Sequence, residues 1–416
     1  MRIHLRFGMH RDVQLIHAEK ARIDGLIVPA HILVHQSAST SVFVTSMHDK
    51  PHVIDPMTFV FQNPKGVLLN DAGEMRPSIQ KLCDVYDDKL AERIMALGSE
   101  DSLSPDDFLE NDEFCENVAK FQLEQVGQAS AESGADKYLK RYTKTQVMAP
   151  RAVIPPYFRF ESIEDDWYKL SLDCAGKTRK LVEGVEVAPV ICCTASGLSE
   201  SAVKKIAQDF GDFQRAFIWI DRYVQTSVRS EVIKKVRRLL ETLRNAKIEL
   251  ETLYGGYLLL MSWFDGMSAI SHGILYTQNK STQLVPGSGG APERYYIPAI
   301  HEFRSLSQTN LIIKKHPELI CGCPVCEEVL GGHADKIILF GDDPDLLRRH
   351  FLHCRRREAD SIAASSPAAE AKRLREVFSK YHKSFLALPN PDAFISSSKM
   401  QGLDYLNHWA AAFAPS

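Results

Sequence analysis

The sequence predicts an α/β fold built on a parallel sheet, either a barrel or a doubly wound sheet, on three observations. Between residues 185 and 278, apolar strand-like runs alternate with stretches of helical periodicity, the order that places parallel strands under crossover helices. A chain of 416 residues that is 44% hydrophobic can fill the core of one large α/β domain with additions, or of two ordinary domains. No internal repeat recurs at a solenoid or propeller period.

Taken in chain order, residues 25–34, 41–45 and 52–61 are strand-like and closely spaced, and are expected to open the sheet. Residues 71–145 are rich in charge and carry helical spacing over 78–95 and 111–128 without alternating strands, so this stretch is expected to be a helical insertion. An apolar strand then covers 185–194, and Ser199 is placed to cap a helix that reaches about Phe210. A second unit follows, with a strand over 216–220 ending at Asp221 and a helix over 229–246 whose Val232, Ile233, Val236, Leu239, Leu240 and Leu243 fall on one face. Residues 248–254 run into Gly255-Gly256, a helix is expected over 258–267, and 269–277 is expected to be the last strand. Residues 283–292 form a Gly/Pro/Ser-rich loop, and from Pro344 onward the chain is basic and helical with a break near 363–369.

Charge and hydropathy narrow the function. Fifty Lys plus Arg against 53 Asp plus Glu leave a net charge of -3, so any nucleic-acid surface must be a local patch. No apolar run is long enough to span a bilayer, and Met1 to Phe7 lacks the core of a signal peptide, so the cytoplasm is the expected compartment and no membrane partner is expected. Nine cysteines, an odd number, argue against a disulfide framework. Cys192-Cys193 lies within an apolar strand, where inert buried thiols are expected.

The densest chemical signal is Cys321-Gly322-Cys323-Pro324-Val325-Cys326, three thiols within six residues on a turn shaped by Gly and Pro. Zinc takes four N or S ligands in a tetrahedron, and three thiolates with a fourth protein ligand leave no open position, so the expected ion is structural. His353 is the expected fourth ligand, with His350, Cys354 and His333 as rivals. Arg355, Arg356 and Arg357 follow directly, and on a helix pinned by zinc they would form a rigid phosphate-binding platform.

This cluster, followed by a Leu-rich helix and a histidine, resembles the zinc site of tRNA-guanine transglycosylases, enzymes that exchange guanine in a nucleic acid for a 7-deazaguanine. The resemblance covers about residues 25–355 and implies a TIM-like (β/α)8 barrel over 1–320 carrying the helical insertion, a C-terminal zinc-binding subdomain over 321–360, and a helical tail over 361–416. His52-Val53-Ile54-Asp55 resembles the family's early strand with its active-site aspartate, and 269–278 resembles its last barrel strand. Three places depart. Asp55 is followed by Pro56-Met57-Thr58-Phe59 where the family has Ser-Gly-Gly-Phe. Ser271-His272-Gly273 stands where the family has Phe-Asp-Cys with its nucleophilic aspartate, and the family's Gln-Gly-Gly segment is not recognisable. These departures resemble the DpdA-type relatives that insert 7-deazaguanines into DNA. DNA is therefore the favoured partner, with tRNA the alternative and accessory DNA-modification proteins a further expected partner class.

Base exchange needs a nucleophile for the sugar C1′ and an acid or base for the protons of the two bases. Asp55 and Asp221, each ending an apolar strand, are the candidate catalytic carboxylates, and Asp265 is a rival. A strand-end aspartate is also a common turn former. Phe160 for stacking, Thr194 for its hydroxyl, Gly255 and Gly256 for close approach, and His272 are the candidate base-binding residues, while Tyr157 and Phe158 are further aromatic candidates. Two other functions stay open: a zinc-stabilised barrel hydrolase acting on a small nucleoside, and a catalytically silent nucleic-acid-binding barrel, which the histidine at 272 favours.

Overall fold

The computed structural model describes residues 1–8, 10–109, 112–132, 148–274, 278, 280–284, 293–388 and 400–414. Nine parallel strands form one sheet: β1 (Arg2–Arg6), β2 (Gly25–Pro29), β3 (His52–Asp55), β4 (Ala152–Val153), β5 (Glu186–Val187), β6 (Val190–Thr194), β7 (Arg215–Asp221), β8 (Glu249–Thr252) and β9 (Met267–His272). Their order across the sheet is β5-β4-β3-β2-β1-β9-β8-β7-β6. The sheet is curled. Its outermost strands, β5 and β6, are consecutive in the chain and separated only by Ala188 and Pro189, which bond to opposite neighbours. Ala188 N donates to Val153 O at 2.9 Å, and Pro189 O accepts from Phe217 N at 2.8 Å.

Between β6 and β8 the expected units form as their sequence dictates. Ser199 caps helix Glu200–Asp209 by accepting from the amide of Ala202, and Ile233, Val236, Leu239, Leu240 and Leu243 form the buried face of helix Ser230–Asn245. The expected strand at 41–45 is instead part of helix Ser37–Ser46. Its β-branched run is accommodated because Thr45 Oγ1 donates to Ser41 O at 2.8 Å and Phe43 stacks on Phe7 with centroids 4.6 Å apart, so tertiary packing outweighs strand propensity. The strands expected over 25–34 and 52–61 both stop early, at Pro29 and Asp55. Pro56 and a left-handed Met57 (φ 57°) end the second. Helices Pro77–Tyr86, Leu90–Ala96 and Asp112–Glu132 lie between β3 and β4, while residues 110–111 and 133–145 of the expected insertion fall outside the described residues, as do 275–277 of the expected last strand.

The interior of the curl explains the Arg-Ile-His-Leu-Arg start. Side chains alternate along a strand, so Arg2, His4 and Arg6 share one face and Ile3 and Leu5 the other. Glu251 of β8 is fully buried at the amino end of this inner face, 3.1 Å from Arg2, 3.3 Å from His4 and 2.6 Å from Arg151, and it also pairs with Arg215. A side chain at Gly25 would meet the His4 ring at 2.9 Å, so the layer requires glycine there. Burial alone would raise the Glu251 pKa, but His4 and Arg151 overcome it and hold the carboxyl well below the usual carboxylate range. A lowered folded-state pKa stabilises the protein above the unfolded value and loses that contribution as pH falls toward the folded one. Glu251→Gln, which strands several buried cations, is therefore expected to cost about 3–5 kcal/mol at neutral pH. In denaturant titrations the gap between wild type and variant should narrow as pH drops below about 4; a gap independent of pH would contradict the role given to this carboxylate.

Candidate functional site

In parallel sheets the carboxyl ends of the strands and the loops after them carry the chemistry. Asp55 at the end of β3 is completely buried and accepts three hydrogen bonds: from Arg6 to Oδ2 at 2.6 Å, and from Tyr157 Oη at 2.8 Å and Met57 N at 2.9 Å to Oδ1. Asp221 at the end of β7 pairs through Oδ2 with Arg159 Nε at 2.9 Å and accepts from Thr282 N on Oδ1, also at 2.9 Å. A non-glycine residue in the left-handed region lies just after each carboxylate, Met57 (φ 57°) two residues beyond Asp55 and Arg222 (φ 55°) next to Asp221. Such strained positions cost about 1–3 kcal/mol each and persist where the surroundings over-determine them, typically at functional sites.

An aromatic wall lies between the two carboxylates' surroundings. Trp219, two residues before Asp221, packs edge-on to Phe59 at 4.7 Å and against Tyr254 at 4.7 Å, and Tyr157 is 6.4 Å from it. Arg6 lies over the Tyr254 ring at 4.4 Å. Lys280 places its ammonium 5.8–5.9 Å from the rings of Tyr254 and Phe59. Burial, reinforced by the Arg6 charge and opposed by Asp55, brings its pKa down to about 8. Lys280 and Met57 line a cavity of about 210 Å³ together with His31, Arg76 and Ser78. Burial with the charges of Lys280 and Arg6 pushes His31 down to about 3, which keeps its imidazole neutral.

The other expected base-binding residues separate. Thr194 is in register with Asp221 at the adjoining strand end, half-buried, with its hydroxyl 2.9 Å from Ser196. Phe160 is buried edge-on to Tyr168 at 4.9 Å, within the hydrophobic core. Gly255 and Gly256 leave no space for a ligand: a Cβ at 256 would sit 2.3 Å from Gln225 Oε1 and 2.7 Å from Gln278 Oε1, so glycine here seats two glutamines. His272 is in register with Leu5, on the face opposite His4 and Arg6, and packs edge-on to Phe351 at 5.1 Å. It belongs to the layer between sheet and helix. Asp265 is bound by Arg237 at 2.8 Å and ties a turn to helix Ser230–Asn245.

The three arginines differ in exposure but all bond to protein acceptors: Arg355 is buried, which corrects its place in the expected phosphate platform, Arg356 is half-buried and Arg357 exposed. Arg355 is fully buried, paired with Glu358 at 3.0 Å against Tyr296 and Phe351. Arg356 bonds Asp24 at 2.8 Å and Met1 O at 2.8 Å, and Arg357 donates to Cys321 Sγ at 2.9 Å and Gly322 O at 3.3 Å. Their neighbourhood is rich in acceptors, which the run of like charges in the sequence does not reveal.

Cys321, Cys323, Cys326 and His350 form a buried group whose donor atoms all lie within 4.8 Å of one another and which could hold a metal ion. The turn is built for it: Cys323 is the N-cap of helix Pro324–Leu330, Pro324 its first residue, and Cys326 lies in its first turn. His350 Nδ1 is 3.4 Å from Cys323 Sγ and 3.2 Å from Cys326 Sγ, near the ~3.6 Å edge of a tetrahedron about a zinc-sized ion. Its Nε2–H donates to Tyr296 O at 2.7 Å, which leaves Nδ1 as the lone-pair donor. The Tyr295 hydroxyl is 3.0 Å from Cys326 Sγ, and its ring stacks on His350 at 4.2 Å. The histidine is thus His350 and not His353. Helix Pro344–Ala363 turns His353 away, to 3.4 Å from Glu19. Cys354, one turn after His350, lies 3.5 Å from Cys321 Sγ as a neighbour to that ligand.

Arg6, Arg159, Tyr254, His31 and Lys280 escaped the sequence analysis. The period-2 pattern of Arg2, His4 and Arg6 carried a signal for an inward charged face, whereas Lys280, in a loop, carried none. No protein-family model matches this chain, and no curated protein matches it.

Purified protein is expected to carry about one metal ion per chain. Replacing His350 by Ala should strip it, while His353→Ala and Cys354→Ala should retain it, as measured by elemental analysis of folded protein. Retention in His350→Ala would remove that residue from the donor set, and loss in Cys354→Ala would add the thiol to it.

Proposed function

We propose that this chain is a base-exchange glycosyltransferase that replaces guanine in DNA by a 7-deazaguanine. The observation that carries the proposal is the pair of buried carboxylates, Asp55 and Asp221, each ending a parallel strand, each ion-paired to an arginine and each followed within two residues by a strained left-handed residue. Two carboxylates at one end of a parallel sheet, with an aromatic wall between them, supply the two functions that base exchange requires. The Cys₃His group after the last parallel strand, in the order seen in tRNA-guanine transglycosylases, supports the same reading. In it the sheet is a closed (β/α)8 barrel in which 186–194 counts as a single strand, bonded to β4 through one half and to β7 through the other. The metal is zinc in a closed, structural site.

Asp221 is the nucleophile in this proposal. Asp55 has both oxygens filled by three hydrogen-bond donors, whereas Asp221 Oδ2 is held by charge alone, from Arg159 at 2.9 Å and, at longer range, Arg222 at 3.8 Å. The Asp221 oxygen bonds to C1′ as the glycosidic bond breaks and its electron pair leaves with guanine, which takes a proton from water. The incoming base then attacks C1′, the bond to Asp221 breaks, and the proton lost by that base passes to Asp55 and from it back to water, which restores both carboxylates. Tyr157 and Arg6 orient Asp55, and Arg159 aims Asp221.

Asp221→Asn should abolish exchange, and Asp55→Asn should lower it by ~10²–10⁴-fold, with metal content and melting temperature preserved. Labelled 7-deazaguanine precursor is offered with duplex DNA, single-stranded DNA and tRNA in parallel, and each polymer is digested and analysed for the base. Incorporation confined to tRNA would overturn the DNA assignment, and full activity in Asp221→Asn would overturn the nucleophile.

A further inference from the structure

A second cavity, of about 550 Å³, adjoins the one beside Lys280: Gly8, His10, Arg11, His35 and Gln36 line the outer space, and His31 and Ser78 line both. Every segment involved follows the carboxyl end of a strand or closes over it: residues 8–11 follow β1, helix Ala30–His35 follows β2, and Met57 follows β3. Sharing the His31 and Ser78 walls, the cavities lie side by side as a groove at the mouth of the sheet. Its lining includes three permanent or potential cations, Arg11, Arg76 and Lys280, three imidazoles, and no carboxylate among the described residues. In a chain of net charge -3 this is a local electropositive track. Asp12, the acid next to Arg11, is itself flanked by Arg348 at 3.8 Å. Arg76 is steadied by one bond, from Nε to Val67 O at 3.1 Å. At the inner end Lys280 is half-buried, and among the described residues its ammonium faces the rings of Tyr254 and Phe59, with neutral His31 and the Arg6–Asp55 pair at longer range, an arrangement that favours an incoming anion.

We propose that this groove, from Arg11 past Arg76 to Lys280, is a phosphate-binding track that holds the backbone of a single polynucleotide strand beside Asp55. The assignment rests on the reading of the substrate as a nucleic acid, and it places the backbone contacts at the mouth of the sheet, where the engaged Arg355, Arg356 and Arg357 do not reach. Arg11 holds a phosphate in the outer space, and Arg76 and Lys280, which line the inner cavity, take the phosphate nearest the reacting sugar. Neutral His31 contributes a hydrogen bond and no charge.

Binding is measured without exchange, by fluorescence anisotropy of a short labelled single-stranded oligonucleotide on the metal-loaded protein across a salt series. Arg11→Gln, Arg76→Gln and Lys280→Met should each weaken binding and lower the slope of log K against log salt by about one. Lys280→Arg should restore most of the binding, and Arg11, being exposed, can be changed without cost to folding. Lys372→Gln with Arg375→Gln, on the outer helix Pro367–Leu386, should leave affinity unchanged. Unaltered binding in the three groove variants, an equal loss in the outer pair, or competition by guanosine monophosphate as strong as by the oligonucleotide would overturn the proposal. Loss of exchange with groove binding intact would count against the base-exchange chemistry alone.

Discussion

The ion pair between Arg6 and Asp55 sets the terms for the mouth of the sheet. Both side chains are removed from water, a costly arrangement unless every lone pair and proton finds a partner. Tyr157 and the Met57 amide complete the shell of Asp55, and the face of Tyr254 covers the guanidinium. The pair also acts on its surroundings. The arginine charge helps to lower Lys280 and His31, so one cation fixed in β1 tunes two titratable groups contributed by distant segments. Met57 is drawn into the left-handed region in the same turn that bonds Asp55, so the geometry of the carboxylate and the strain of the backbone are a single feature.

At the opposite end of the inner face, Glu251 gathers Arg2, His4, Arg151 and Arg215 into a closed charged layer. Between the two polar ends lie Phe217 and Trp219, both buried. The amino end of the inner face is filled with paired charge, and the two cavities that His31 lines lie at the carboxyl end. The Cys₃His group lies apart from this face. Helix Pro344–Ala363 directs His350 to the thiols, His353 to Glu19, Phe351 to His272, and Arg356 to Asp24, so an ion bound there would fix the C-terminal region against the sheet.

Where the sequence carried local information, it was legible. Strands β6, β7 and β9 follow from apolar runs, and the three clustered thiols follow from spacing, because the donors sit on one turn. Choosing His350 over His353 required knowing which helix face meets the Tyr296 carbonyl, a contact between residues far apart in the chain. The same applies to Asp55 and Asp221. Their positions at strand ends are visible in the sequence, but their partners Arg6, Tyr157 and Arg159 come from distant elements. His272 and the arginine run misled for the converse reason: residue type suggested chemistry, and burial against neighbouring helices or acceptors gave each a packing role. Strand β4, two residues long, has no periodicity to detect.

The account turns on Asp221 as the residue that bonds to the sugar. The most direct measurement is to incubate the protein with a guanine-containing DNA strand, withhold the incoming base, quench in denaturant, and locate any covalent adduct by peptide mass spectrometry. The account predicts a deoxyribose-linked adduct on Asp221, absent from Asp221→Asn. An adduct on Asp55 or on any other residue, or none with DNA and tRNA alike, would contradict it.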